Sequence, residues 1–135
     1  MKKFTLHFIV FLFLYGSVTM ENLLANDSFI KPESVKASKI ALSGTLQVAN
    51  IKSNVSQPID VYQNQHNLDV HFLFYLGTLS VSVTDMQGNT MYQTSVNALA
   101  NSHCYVQTRN LNRGEYRIYI CNSKGEYLEG RFKIV

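Results

Sequence analysis

Residues 111–120, LNRGEYRIYI, join a turn to a strand within one short stretch. Leu111, Gly114 and Tyr116 form an L-x-x-G-x-Y turn, after which Tyr116, Ile118 and Ile120 alternate with Arg117, Tyr119 and Cys121. Period-two alternation belongs to a half-buried strand, one set of side chains facing a core and the other facing water. The glycine permits a bend that a Cβ would oppose. A tyrosine just past that bend can bury its ring while its hydroxyl bonds backbone upstream. Together these residues predict a corner between two stacked sheets.

The same alternation recurs from residue 39 onward. KIALSGTLQV reads as a first strand, and ANIKSNVSQP, ended by Pro58, as a polar loop. IDVYQNQ and NLDVHFLF follow, with Leu68, Val70, Phe72 and Phe74 on one face and Asp69 and His71 on the other. In TLSVSVTDM, Leu79, Val81 and Val83 alternate with Ser80, Ser82 and Thr84. Gly88 supplies the hairpin turn into TMYQTSV. HCYVQTRNL, GEYRIYICN and EYLEGRFKIV complete the series, with Ser123–Gly125 turning between the last two. About seven or eight short strands at regular spacing predict an all-β sandwich or barrel over residues 39–135. In a two-sheet sandwich Leu111 plugs the end of the core, Gly114 allows the bend and Tyr116 ties it down, as in the tyrosine corner of immunoglobulin-like domains. An ordinary hairpin with a buried tyrosine is the alternative.

The N-terminal segment MKKFTLHFIVFLFLYGSVTMENLLA has a basic start at Lys2 and Lys3, an apolar stretch from Phe8 to Val18 and a small residue at Ala25. These are the parts of a secretory signal peptide, expected over residues 1–25. The apolar stretch is short of the roughly 20 residues of a spanning helix, so a retained anchor is the lesser reading. Residues 26–38 are polar, contain Pro32 and read as a flexible lead-in. Cleavage after Ala25 removes 25 of 135 residues and leaves 110, enough for one domain with a core. No second long apolar run follows, so the mature chain is expected without a membrane span, in the periplasm or outside the cell. Its ten basic and eight acidic residues are dispersed, with no basic stripe for nucleic acid.

In IALSGTL, NLDVHF, LSVSVTDMQGNTMYQ, LNRGEYRIYI and GEYLEGRFKIV, taken in order behind a signal peptide, the chain resembles the small secreted immunoglobulin-like domains of unknown function of Bacteroidales and related gut bacteria. The resemblance covers Ile40 to Val135. It implies an all-β immunoglobulin or fibronectin type III-like sandwich of antiparallel strands outside the cytoplasm and supplies no catalytic residues. The C-terminal sorting domains of the type IX secretion system look similar too, although those usually trail a large cargo.

Residues that could carry chemistry are sparse. Cys104 and Cys121 are the two cysteines, and an exported chain meets oxidising conditions. Alternation turns Cys104 inward and Cys121 outward, while a bridge needs Cβ atoms about 3.5–4.5 Å apart and stacked sheets lie about 10 Å apart. They are therefore expected unpaired, unless a bulge near either one turns it round. His66, His71 and His103 are read as solvated or turn residues, with no ligand cluster to complete a metal site. The carboxylates are dispersed, and neither a G-x-S-x-G elbow nor a phosphate-binding glycine loop occurs. No catalytic residue, metal or cofactor is expected.

The alternation does gather one surface. Arg117 and Tyr119 on one strand stand beside Tyr127, Glu129 and Arg131 on the next, forming a polar-aromatic platform suited to a glycan or protein. The competing reading of those residues is an ordinary solvated sheet face. The expectation is a non-catalytic recognition module for a cell-surface protein or glycan. A structural or assembly domain akin to secretion-tail sandwiches is the alternative, and a small hydrolase a distant third.

Overall fold

A computed structural model describes residues 36–49 and 57–135. The expected signal peptide, nearly all of the lead-in and the middle of the Ala49–Pro58 loop lie outside the described residues. Nine strands follow: β1 (Ser38–Ile40), β2 (Leu42–Thr45), β3 (Ile59–Gln63), β4 (Asn67–Phe72), β5 (Gly77–Asp85), β6 (Thr90–Ala98), β7 (Ser102–Gln107), β8 (Gly114–Cys121) and β9 (Tyr127–Ile134). They form a four-stranded sheet of order β1-β3-β4-β7 and a five-stranded sheet of order β2-β9-β8-β5-β6, with every pairing antiparallel.

Lettered as in immunoglobulin-like sandwiches, β3 to β9 are strands A, B, C, C′, E, F and G. A, B and E share one sheet, while G, F, C and C′ share the other. The two inner faces supply the core. Ile59 and Val61 from β3, Leu68, Val70 and Phe72 from β4, Leu79, Val81 and Val83 from β5, and Ile118 and Ile120 from β8 are all buried at period two. Each such side chain contributes about 1.5–3 kcal/mol over its exposed state. Ile118 stands two residues after the corner tyrosine, where antibody domains carry a cysteine, so aliphatic packing replaces the inter-sheet bridge at this point.

The first expected strand is in fact two. Ile40 and Leu42 both face the core, yet Ile40 pairs with Val61 of β3 and Leu42 with Gly130 of β9, so the chain crosses between sheets at Ala41. Alternation reports which way a side chain faces and says nothing of its backbone partner, so the crossing left the pattern intact. Gly130 makes the crossing possible. A Cβ there would stand 2.7 Å from Ile40 Cγ2, 2.8 Å from Leu42 Cδ2 and 3.1 Å from the Ala41 carbonyl oxygen. The lead-in also ends one residue early, because Ser38 already pairs with Gln63.

Side chains close two of the hairpin turns. Asp85 Oδ1 accepts the Gln87 and Asn89 backbone N–H groups at 3.0 and 2.8 Å, and Oδ2 accepts from Asn89 Nδ2 at 2.8 Å. Asn122 does the same between β8 and β9, its Oδ1 accepting the backbone N–H groups of Lys124 and Glu126 at 3.0 Å each. Gly88 and Gly125 take the left-handed φ values, 90° and 83°, that these turns require.

Candidate functional site: the corner and the two outer sheet faces

The corner lies between β7 and β8, the E–F connection in the lettering above. Leu111 donates its N–H to the Thr108 carbonyl at 3.0 Å and packs, half-buried, against the core. Gly114 opens β8 at a φ of 151°, a conformation side-chain-bearing residues rarely adopt. Tyr116 is 5% exposed; its hydroxyl donates to the Asn112 carbonyl at 2.7 Å and its ring lies 5.7 Å from that of Phe132, its cross-strand partner. That bond back to the upstream backbone is the geometry of a tyrosine corner.

The outer face of the five-stranded sheet brings Arg117, Tyr119, Tyr127, Glu129 and Arg131 together. Tyr119 is opposite Glu129, Cys121 opposite Tyr127, and Arg117 opposite Arg131. The Tyr119 and Tyr127 rings stack at 4.9 Å and 24°, and Tyr127 is 41% exposed. Burial, then the neighbouring Cys121, Tyr127 and Glu129, push the Tyr119 hydroxyl above the ordinary tyrosine range, so it stays a neutral donor. Arg117 Nε approaches Glu129 Oε1 at 3.5 Å, too far for a hydrogen bond, and this buried Nε has no other partner. A shallow open hollow lined by Ala41, Ser43, Glu129, Gly130 and Arg131 borders the patch on the β2 side.

A second polar-aromatic cluster occupies the outer face of the four-stranded sheet, and sequence reasoning missed it. Asp60, His71 and His103 form one row across β3, β4 and β7; Tyr62, Asp69 and Tyr105 form the next. The His71 and His103 rings are parallel within 1° at 4.3 Å, and Tyr105 stacks on His103 at 5.9 Å. His103 Nδ1 lies 2.7 Å from Asp69 Oδ1, which fixes the ring's orientation. Lys39 spans Asp60, at 2.8 Å, and the Tyr62 ring, and the bond to Asp60 raises its pKa. The histidines come from strands far apart in sequence, so only knowledge that β4 pairs with β7 would have joined them. Among the described residues no group of three or more ligands is arranged to hold a metal ion.

Both cysteines are free thiols, Cys104 on β7 and Cys121 on β8, in different sheets. Cys104 faces inward beside Val70, and Cys121 faces outward between Ser80 and Tyr127. Neither has the depth alternation suggested. Cys104 is half-buried instead of buried because β7 is a sheet edge, and Cys121 is half-buried instead of exposed because side chains on β5 and β9 flank it. Burial, and then the Asp69 carboxylate, push the Cys104 thiol up.

Residues 39–134 match the family model described as a domain of unknown function, DUF3244. The chain belongs to the DUF3244 family. Among solved structures, this DUF3244 domain is similar to the crystal structure of a family protein from Bacteroides vulgatus ATCC 8482 that is described as an immunoglobulin-like β-sandwich. The TM-score is 0.59 at 19% identity, over 73% of this chain and 98% of that one. At that identity the likeness is one of fold, and it agrees with the architecture described above. None of the curated proteins matches the chain.

Proposed function

We propose that the chain is an exported, non-catalytic recognition module that takes a cell-surface protein or glycan on the outer face of its five-stranded sheet. The observation that carries this reading is the stacked Tyr119–Tyr127 pair beside two directly opposed arginines, Arg117 and Arg131. Tyrosine gives large contact area at low rotamer cost, and its flat ring accepts either a sugar ring or a side chain. Like charges directly opposite on a sheet oppose folding, and Glu129, the carboxylate that approaches Arg117, leaves its Nε without a hydrogen bond. A ligand bearing an acidic group would relieve that repulsion, and arginine is suited to bind it. Export is supported by the basic start and short apolar run of the first residues. A source among Bacteroidales is supported by the Bacteroides relative.

The test is a glycan array, together with a pull-down of surface proteins, using the wild type and Tyr119→Ala/Tyr127→Ala. The double variant should lose the captured ligand while its melting temperature stays near that of the wild type. Equal capture by both proteins would remove this face from consideration.

A further inference from the structure

We propose that β6 is a self-association edge, pairing antiparallel with β6 of a second copy about a two-fold axis at Thr94. This is independent of the recognition face. β6 is the outermost strand of the five-stranded sheet, and its nine residues, TMYQTSVNA, include no charge, proline or glycine. An unpaired row of N–H and C=O groups invites another strand, and natural edges are blunted by brevity, charge, bulges or proline. Two of the other three edges carry such devices: β1 has three residues and Lys39, and β2 has four, with Gly44 at a φ of 104°. β7 is also free of charge, proline and glycine but has six residues to the nine of β6. β6 has only a register shift near its start, at Met91, and from Tyr92 to Ala98 its ladder with β5 is regular.

The apolar side chains around β6 fit the same reading. Met91 and Leu99, at its two ends, are 46% and 51% exposed, and the inward Tyr92 and Val96 are only half-buried, with no strand among the described residues beyond them. Centring a two-fold on Thr94 sets Tyr92 of one copy opposite Val96 of the other, Gln93 opposite Ser95, and Met91 opposite Asn97 and beside Leu99. Each pair joins residues of the same parity, so inward faces inward and the two five-stranded sheets become one of ten. Tyr–Val is a favourable cross-strand pair, and no position sets charge against charge. The occupant is a second copy because the strand is neutral throughout and, from Tyr92 to Val96, sets aromatic against β-branched and polar against polar on its own symmetry mate. An isologous contact of this kind closes at two copies, and the short, glycine-bent β2 at the far edge gives a filament nothing to grow from.

The experiment is sedimentation velocity on the protein over a concentration series from low to high micromolar. The wild type should be dimeric at the upper end. Gln93→Lys/Ser95→Lys sets like charges opposite each other twice across the axis and should give a monomer, with the circular dichroism spectrum and melting temperature of the folded wild type monomer retained. Gln93→Lys/Ser95→Glu sets opposite charges across the same two pairs and should restore the dimer. A wild type that stays monomeric throughout, including one that instead captures an extended peptide on β6, overturns the proposal. A folded Lys/Lys variant that dimerises like the wild type, or a Lys/Glu variant that does not, overturns it as well.

Discussion

The hydroxyl of Tyr116 donates to the carbonyl oxygen of Asn112, four residues upstream, at 2.7 Å. One side chain thereby fixes the loop over the end of the core to the strand that leaves it. Its ring meanwhile stacks on that of Phe132 of β9.

Removing the hydroxyl isolates that tie. Asn112 is itself exposed, so its carbonyl can turn to water when the donor is lost, and Tyr116→Phe should cost about 1 kcal/mol, the ordinary net worth of a hydrogen bond. Tyr116→Ala also vacates the ring's site and should cost about 3–5 kcal/mol. Urea denaturation of the three proteins measures both. A Phe variant indistinguishable from wild type would make Tyr116 an ordinary buried aromatic.

The sheet crossing at Ala41 depends on the missing side chain of Gly130. Gly130 has no left-handed φ, so Gly130→Ala acts through crowding alone, and overpacking of this kind costs about 1–3 kcal/mol. Leu42→Val removes the Cδ2 methyl that stands 2.8 Å from the new Cβ, so the double variant should lose less than the sum of the singles. Gly44→Ala should be worse than Gly130→Ala, since it combines a φ of 104° with a Cβ driven onto the Tyr127 carbonyl oxygen. Strict additivity of Gly130→Ala and Leu42→Val would mean that the two residues do not meet.

Facing was legible in the sequence because it is a local property. The sets Tyr116, Ile118, Ile120 and Arg117, Tyr119, Cys121 separate in the fold as alternation separates them. Pairing is not local. Ile40 and Leu42 look like one strand because both face inward, and nothing near them announces that their backbone partners lie in different sheets. The same blindness hid the stacked histidines, since His71 and His103 meet only because β4 lies beside β7. Cys104 shows the intermediate case. Its direction follows from its neighbours, whereas its depth follows from β7 being an edge, which is a fact of topology.

That depth bears on reactivity. The thiolate is the reactive form, and burial together with Asp69 disfavours it at Cys104. With both cysteines free and in different sheets, thiol titration of the unreduced, denatured protein should find two sulfhydryls. In the native protein Cys104 should react with a thiol reagent more slowly than an unfolded-chain cysteine, and Asp69→Asn should speed it. Recovery of a peptide joining Cys104 to Cys121 would contradict the register of β7 or β8.

Two carboxylates give the fold a predictable acid limit. The Asn89 side chain, then the Asn89 backbone N–H, hold the Asp85 carboxyl below its ordinary range; the Asn122 amide, then the Gln47 N–H, do the same for Glu126. Glu126 thereby ties the chain just past β2 to the β8–β9 turn, since its Oε2 accepts the Gln47 N–H at 3.0 Å and its Oε1 the Asn122 Nδ2 at 3.1 Å. A carboxyl whose folded pKa is depressed adds stability above its unfolded pKa, about 4, and loses that contribution as pH falls through the folded value. The wild type should therefore exceed Asp85→Asn/Glu126→Gln in stability by a constant margin from neutral pH down to about pH 5, and the margin should shrink below that. Urea midpoints across the acid limb measure it. A margin that holds level to the lowest pH at which the protein folds would mean that the charged forms of Asp85 and Glu126 contribute nothing beyond their neutral replacements.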